Sequence, residues 1–390
     1  MCALTMSYRR KLAISAADQS GPTLLDIGGE WRAQIFQSWD LPATIRAEWE
    51  QAAQAYGDRG IFLSPGWLQT WWDVFGKTGH LFIAVLHCGE RLKGIFPCWV
   101  RNDGVLCGLA NEVYFDFLLD DLDRETTVDR FMELLRQTGL AKAHLPSLSR
   151  LYGNGATLLK SLRNTHFPFW TWAFSFGAIV DVSCSTWDEV ESSFQSKLRN
   201  NLKKGRRKAE KEGQLTFEEV RDRATVETML DELFAVEGSG WKAKEGTAIS
   251  QSDEKLEWYR RISLWAAEQG SLRIYLLRLN GQLIAFDLAL ESGSTIFALK
   301  TGYDENIATR FSAGNLMRNE VLKALWARPD IAHYDFLGET YPWKLEWTQV
   351  TGESIDIFVY PKNVRGWTGY ILNYGWKHPV KKARRLLLSE

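Results

Sequence analysis

The chain has 390 residues, of which 45% are hydrophobic and 24% are charged. This is the composition of a soluble globular protein of two to three domains. The formal net charge of -1 at pH 7 excludes a general attraction to nucleic acid, so any basic patch must be local. The five cysteines have no CxxC spacing and the six histidines no HExxH spacing, which argues against a disulfide framework and against a metal site.

The N-terminal sequence does not have the pattern of a targeting segment. Arg9, Arg10 and Lys11 are followed by residues too polar for the core of a signal peptide. No apolar run approaches the roughly 18 residues that a membrane-spanning helix needs. We therefore expect a cytoplasmic protein, which can also lie on the inner face of the cytoplasmic membrane.

Apolar periodicity and turn residues predict alternating helices and strands in the first half of the chain. In chain order they are helices near 43–56 and 64–75, strands 80–87, 91–101 and 114–119, helix 125–138, strand 142–146, helix 148–163 and strand 170–182. Mixed elements in this order are typical of an α/β or α+β layer fold.

The second half begins with the capping-box pattern Thr186-Trp187-Asp188-Glu189, which predicts a helix start. A long basic helix then runs to Gly213, a natural stop. The remaining predicted elements are helix 253–269, strands 272–279, 282–290 and 295–302, helix 312–327, and strands 332–337 and 355–360.

The two halves contain an internal repeat. Leu81–Cys98 aligns without a gap on Leu272–Ala289, and both segments are predicted to be hairpins, the second with the turn Asn280-Gly281. Tyr114–Leu118 also resembles Tyr334–Leu337. Between residues 100 and 114 the first half has no room for a long turn and helix like 302–327, so we expect only the second half to bind a ligand at such a turn.

Five segments of the second half resemble the CelD/BioF2-like acetyltransferase family, which belongs to the GNAT acyltransferase fold. They are Ser196–Leu202, Leu283–Phe286, Lys300–Asp304, Ser312–Gly314 and Tyr334–Gly338. That family is related to the Fem-type peptidoglycan aminoacyltransferases, which carry two GNAT-like halves.

The resemblance covers roughly residues 31–362 and implies an α/β (α+β) fold of two tandem GNAT-like halves, each a mixed central sheet flanked by helices. The implied organisation is an N-terminal extension (1–30), an N-terminal GNAT-like half (31–182), a C-terminal acyltransferase half (183–362) and an aromatic, basic tail (363–390).

A strand that passes through a small-residue turn into a helix can present backbone N–H groups to a phosphate. The resemblance implies acyl-CoA as co-substrate at such a turn, without a metal. The usual GNAT pattern Gln/Arg-x-x-Gly-x-Gly/Ala is absent, and Ser312-Ala313-Gly314 stands where the family has Ser-Pro-Gly. The predicted cofactor-binding residues are Thr301, Gly302, Ser312, Ala313, Gly314 and Asn315.

Asp287 is the strongest catalytic candidate, because it lies on a strand face whose other residues are small or apolar. If residues 291–294 form a four-residue turn, Asp287 opposes Ala298 and lies diagonal to Lys300 on the same face. This arrangement predicts either a structural ion pair or a site at which Asp287 holds the substrate ammonium or acts as a general base. Lys300 is included with it as a catalytic candidate.

Four further residues are candidates for catalysis or acceptor binding. Asp335 can orient or deprotonate the amine, although a strand-end acid that caps a turn has the same pattern. Tyr303 can return a proton to the leaving thiolate or be a packed core tyrosine. Lys344 can bind an acceptor phosphate or carboxylate or be a solvated lysine. Asp116 lies in the matching aromatic strand of the first half, which we expect to form one wall of the acceptor cleft.

Eight basic residues and one acid lie between Lys197 and Lys211. This pattern fits a solvated surface helix, and it equally fits a clamp for CoA phosphates, a nucleotide-linked sugar, phospholipid headgroups or tRNA. Lys197 and Arg199 are predicted substrate-binding residues, as is Trp241 in the turn before the second hairpin. The aromatic and basic C-terminal tail suits either a membrane interface or docking against the domain.

Together these features and the resemblance predict an acyl-CoA-dependent N-acyltransferase that acts on an amine of a cell-envelope polysaccharide precursor or lipid by direct attack. Two alternatives within the enzyme class are a long-chain acyl-CoA-dependent ceramide-type N-acyltransferase and a Fem-like aminoacyl-tRNA-dependent transferase. An alternative of another class is a non-catalytic binding subunit of an envelope assembly complex. Nucleic acid is not an expected partner, except for tRNA in the Fem-like alternative.

Overall fold

The computed structural model of the protein describes residues 21–109, 113–140, 142–149, 153–239, 252–364 and 366–373. The strands are β1 (Thr23–Asp26), β2 (Trp31–Phe36), β3 (Gly79–Cys88), β4 (Arg91–Arg101), β5 (Val105–Gly108), β6 (Leu118–Leu119), β7 (Lys142–Ser149), β8 (Phe169–Asp181), β9 (Leu215–Val220), β10 (Leu272–Leu279), β11 (Gln282–Ser292), β12 (Thr295–Tyr303), β13 (His333–Asp335) and β14 (Thr351–Val359).

The helices are α1 (Ala43–Ala55), α2 (Pro65–Phe75), α3 (Arg124–Thr138), α4 (Gly155–Asn164), α5 (Trp187–Ser193), α6 (Ser196–Glu212), α7 (Arg223–Gly238), α8 (Asp253–Glu268), α9 (Glu305–Phe311) and α10 (Ala313–Trp326). Short 3₁₀ helices occupy Asp58–Leu63, Gly76–Thr78 and Lys344–Glu346.

One continuous mixed sheet runs through both halves of the chain. Its strand order is β1-β2-β3-β4-β5-β7-β14-β8-β13-β12-β11-β10-β9, with β6 paired to β4. At the centre, β14 of the second half lies between β7 and β8 of the first half, and β8 lies beside β13. The halves are therefore joined by interleaved strands rather than by a linker alone.

The two faces of this sheet carry different helices. The first hydrophobic cluster combines strands of both halves with α1, α2, α7 and α8, and we call this side the front face. On the opposite side, the back face, α3 and α4 cover the first half, while α5, α6, α9 and α10 cover the second. Because side chains alternate along a strand, neighbouring strand residues face different sets of helices.

The strand pairing of the two hairpins confirms the internal repeat. Leu86 pairs with Gly94 and a register shift follows Leu86. The equivalent pair, Leu277 with Ala285, is also followed by a register shift. The two hairpins therefore share both their pairing and their irregularity, and the predicted mixed fold of two similar halves is correct.

Some predicted elements have different bounds. The predicted strand 114–119 pairs with β4 only at β6. Before β6, Phe115 forms an isolated bridge with Leu148, and the Asp116 carboxylate accepts from the backbone N–H of Phe117 at 2.7 Å. The predicted helix 148–163 begins at Gly155, since β7 continues to Ser149 to pair with β14. The prediction missed β1, β2, β5, β9, α7 and α9, and β14 begins at residue 351 rather than 355.

Candidate active site

Strands β12 and β13 separate in the second half. They pair in parallel from Thr295 to Phe297, and the last pair is Phe297 with Asp335. Pairing of β12 with β11 continues to Tyr303, with a register shift that leaves Leu299 as a bulge. Beyond β13 the chain follows β8 instead, since Phe336 N donates to Ala178 O at 3.0 Å. We call the gap between 299–302 and 336–338 the notch.

Asp287 lies on the back face of the sheet beside the notch, completely buried. Its carboxylate accepts hydrogen bonds from the Tyr334 hydroxyl and, at 2.9 Å, from Thr301 Oγ1. Burial and the neighbouring Asp287 carboxylate hold the pKa of Tyr334 well above its usual value, so this hydroxyl remains a donor. Asp287 is therefore fixed by two hydroxyls, and its catalytic role stays a prediction.

The predicted proximity of Asp287 and Lys300 is wrong. The turn between β11 and β12 has two residues rather than four, and with the bulge at Leu299 this pairs Asp287 with Thr301. Lys300 instead points to the front face, where its Nζ lies 2.9 Å from the buried Glu237 carboxylate of α7. A catalytic role for Lys300 in partnership with Asp287 loses its geometric basis.

Asp335 lies on the front face at the mouth of the notch and is 1% exposed. Arg59, from the first 3₁₀ helix of the first half, forms an ion pair with it. The other Asp335 oxygen accepts from Leu337 N at 2.8 Å. The Arg59 guanidinium lies 5.2 Å from the ring centroid of Tyr114 and 5.5 Å from that of Phe297. Residues of both halves therefore build this side of the notch.

Lys344 is buried under the loop that follows β13. Its Nζ donates to Leu337 O and, at 2.7 Å, to Glu339 O. Burial lowers the pKa of Lys344 to about 8. The lysine thus holds the rim of the notch, where Gly338 has a positive φ of 58°, and its predicted contact with an acceptor stays a prediction.

The predicted phosphate turn lies where α9 meets α10. Ser312 has a left-handed backbone, with φ 58° and ψ 52°. A Cβ at Gly314 would lie 3.0 Å from the Tyr303 ring, so glycine lets the tyrosine pack on the start of α10. A Cβ at Gly205 of α6 would lie 2.3 Å from Phe311 O. The basic helix therefore packs closely against this turn.

Helix α6 confirms the predicted basic surface. Leu198, Leu202, Gly205 and Ala209 form its buried stripe. Among the described residues, Arg206 pairs with Glu320 of α10. The exposed cations that form no ion pair with any described residue are Lys197, Lys203, Lys204, Arg207, Lys208 and Lys211.

Asp116 is completely buried in the first half. Its oxygens accept from Tyr56 Oη at 2.7 Å, from Phe117 N, and from the backbone and side chain of Asn154. Its substrate-binding role stays a prediction, but these contacts favour a structural one. Trp241 and the tail beyond 373 lie outside the described residues.

Residues 196–345 match the protein family described as "Acetyltransferase (GNAT) domain". The match identifies a GNAT domain within residues 196–345. The GNAT domain spans α6 to the last 3₁₀ helix, and the notch and the predicted phosphate turn fall inside it. Because the β10–β11 hairpin of this domain is repeated as β3–β4, the protein has two GNAT-like halves.

Two solved structures are similar to the whole chain. FemX matches with a TM-score of 0.56 and 14% identity, covering 82% of this chain and 96% of that one. A conserved protein of unknown function from Bacteroides thetaiotaomicron VPI-5482 matches with a TM-score of 0.51 and 12% identity, covering 84% and 99%. At these identities the likeness shows the fold alone. No curated protein matches the chain.

The described residues contain neither a metal-binding cluster nor a membrane-spanning helix. No group of three or more His, Cys, Asp or Glu side chains there is placed to hold a metal ion. None of the described helices is long and apolar enough to cross a bilayer. A cavity of about 490 Å³ between α7 and α8 is lined by none of the predicted site residues, so we place no substrate in it.

Sequence reasoning missed Arg59, Glu237 and Arg318. Arg59 and Glu237 carry no motif, and they reach the GNAT domain's strands only through tertiary packing. Arg318 did leave a signal, since it shares the apolar stripe of α10 with Leu322 and Leu325, where a charged residue is out of place.

Proposed function

We propose that the protein is an acyl-CoA-dependent N-acyltransferase that transfers an acyl group to an amine of a cell-envelope polysaccharide precursor or lipid by direct attack. The observation that carries the proposal is the notch, because its two sides differ. On the back face it adjoins the start of α10 and the basic helix α6. On the front face it is bounded by Asp335 and Arg59, one from each half, and Lys344 holds its rim.

This division suits a two-substrate reaction. A donor whose phosphates bind near Ser312 and α6 can extend its thioester along β12 towards the bulge at Leu299. An amine acceptor can approach the same carbonyl from the front face. Holding both reactants at one gap supplies the proximity that direct attack requires.

The chemical step forms a C–N bond between the amine and the thioester carbonyl. The amine must first lose the proton of its ammonium form, and Asp335 is the carboxylate placed on the acceptor side. Backbone N–H groups near the bulge at Leu299 are candidate donors to the tetrahedral oxyanion. The C–S bond then breaks, and the thiolate takes up a proton, for which Tyr303 is the candidate donor.

The acceptor class rests on the resemblance to the CelD/BioF2-like and Fem-type families. The exposed cations of α6 support a second candidate, a transferase that uses aminoacyl-tRNA, since a dense basic helix suits a polyanionic donor. The same cations suit attachment to an anionic membrane surface.

Isothermal titration calorimetry with acetyl-CoA, palmitoyl-CoA and an aminoacyl-tRNA separates these candidates. We expect acyl-CoA binding that is weakened by Gly314→Val, because the branched side chain collides with the Tyr303 ring. Lys323→Ala, an exposed change later in α10, serves as the matched control. Binding of aminoacyl-tRNA alone would favour the second candidate. Failure of every donor to bind would favour the alternative of a non-catalytic binding subunit.

A further inference from the structure

Arg318 is a buried arginine on α10 that no sequence motif explains. It is 4% exposed, and its guanidinium lies 4.7 Å from the ring centroid of Trp343, 5.1 Å from that of Phe336 and 5.7 Å from that of Trp347. Burying a charge costs several kcal/mol unless an opposite charge or a full set of hydrogen bonds compensates for it.

The compensation inside the protein is incomplete. Among the described residues, no carboxylate lies within ion-pair distance of Arg318. Its Nη2 donates to Thr301 Oγ1 at 3.5 Å, and that hydroxyl itself donates to Asp287. The guanidinium also donates to the Tyr334 hydroxyl. Its Nε–H is buried and has no hydrogen-bond partner among the described residues.

The unpartnered donor lies next to a residue of the notch. In a guanidinium group, Nε–H and one N–H of Nη2 lie side by side on one edge, and together they form the fork that binds both oxygens of a carboxylate. Since Nη2 lies 3.5 Å from Oγ1 of Thr301, a notch residue of β12, this edge lies beside the notch. The neighbouring aromatic rings exclude water, which strengthens an ionic contact made there.

We propose that Arg318 binds a carboxylate carried by the transferred acyl group, so that the donor is a dicarboxylic acyl thioester such as a succinyl ester. The inference rests on the proposed function and adds the class of its acyl group. Arg318 lies on the back face with α10 and α6, the side assigned to the donor. The Trp343 ring lies 4.7 Å from the guanidinium and is 39% exposed, so the site lies close to the surface.

Succinyl-CoA and butyryl-CoA provide the test, because both have a four-carbon acyl chain and only one ends in a carboxylate. We expect wild type to bind succinyl-CoA about 10-fold to 100-fold more tightly and to use it with higher kcat/KM. Arg318→Met, which keeps the length of the side chain, is expected to lose this preference and retain butyryl-CoA binding. Lys323→Ala is expected to leave the preference unchanged.

Equal affinity of wild type for the two esters would overturn the inference. Equal losses for both esters in Arg318→Met would also overturn it, since they would point to a role in the transition state or in folding. Circular dichroism and the Arg318→Lys variant identify a folding defect.

Free succinate, titrated in a thermal-shift assay, separates failure of the inference from failure of the proposed function. If neither ester binds while succinate still stabilises wild type and not Arg318→Met, the acyl-CoA proposal fails and the carboxylate site stands. If succinate has no Arg318-dependent effect either, both fail.

Discussion

Replacing Arg59 with methionine should destabilise the protein strongly, because it leaves the buried Asp335 carboxylate without its charged partner. Asp335 is 1% exposed and Arg59 is 13% exposed. Methionine keeps most of the apolar stem between Tyr114 and Phe297, so the change removes mainly the charge. Breaking a buried ion pair from one side costs about 3–5 kcal/mol, and we expect the free energy of unfolding to fall by that amount.

The double variant Arg59→Met/Asp335→Asn should recover part of the loss, since it leaves neither charge buried. The amide keeps an oxygen that can accept from Leu337 N. Urea denaturation followed by circular dichroism measures the free energies of unfolding of wild type, Arg59→Met, Asp335→Asn and the double variant, and these four values close a mutant cycle.

Arg101→Met is the matched control, because the Arg101–Asp103 pair is about half exposed on both sides and should contribute less than about 1 kcal/mol. A loss for Arg59→Met no larger than that of the control would refute the reasoning. A double variant less stable than Arg59→Met would refute it as well.

Two other outcomes can be measured independently. Burial raises the pKa of Asp116 from 3.8 to about 6, so between pH 3.8 and pH 6 the native state binds more protons than the unfolded state. The stability that this adds is complete below pH 3.8 and is lost as the pH rises through 6. The stability of wild type relative to Asp116→Asn should therefore fall by about 2–3 kcal/mol from pH 4 to pH 7, and a flat difference in urea titrations would contradict the assignment. Gly205→Ala should gain about 1 kcal/mol of helix propensity but lose about 1–3 kcal/mol or more to the clash with Phe311 O. Thermal unfolding should thus show net destabilisation, with Lys204→Ala neutral, and a more stable Gly205→Ala would disprove the close contact.

The elements of the site that depend on local signals could be predicted from the sequence. The hairpins follow from alternating apolar residues and turn glycines, and the start of α5 follows from its capping box, which Thr186 and Glu189 form as predicted. Even the register of the repeat was encoded in matching residues such as Leu86 and Leu277.

Long-range features of the site could not be derived in this way. The bulge at Leu299 moved Lys300 to the opposite face from Asp287, and period-2 patterning does not locate a bulge. The turn two residues shorter than predicted changed the pairing without changing the face. Arg59 reaches Asp335 across 276 residues of sequence, a contact that only the packing of the two halves creates.

The interleaving of β7, β14, β8 and β13 also prevents the two halves from being separated into two stable proteins. If two ancestral copies were joined end to end, their later exchange of central strands removed the option of separating them again. A gene fragment that ended near residue 182 would leave β8 without β14, and one that began there would leave β14 without either neighbour. Each fragment would expose a long unpaired edge prone to aggregation. Selection must therefore act on the pair of halves as one heritable unit, even where only one of them performs chemistry.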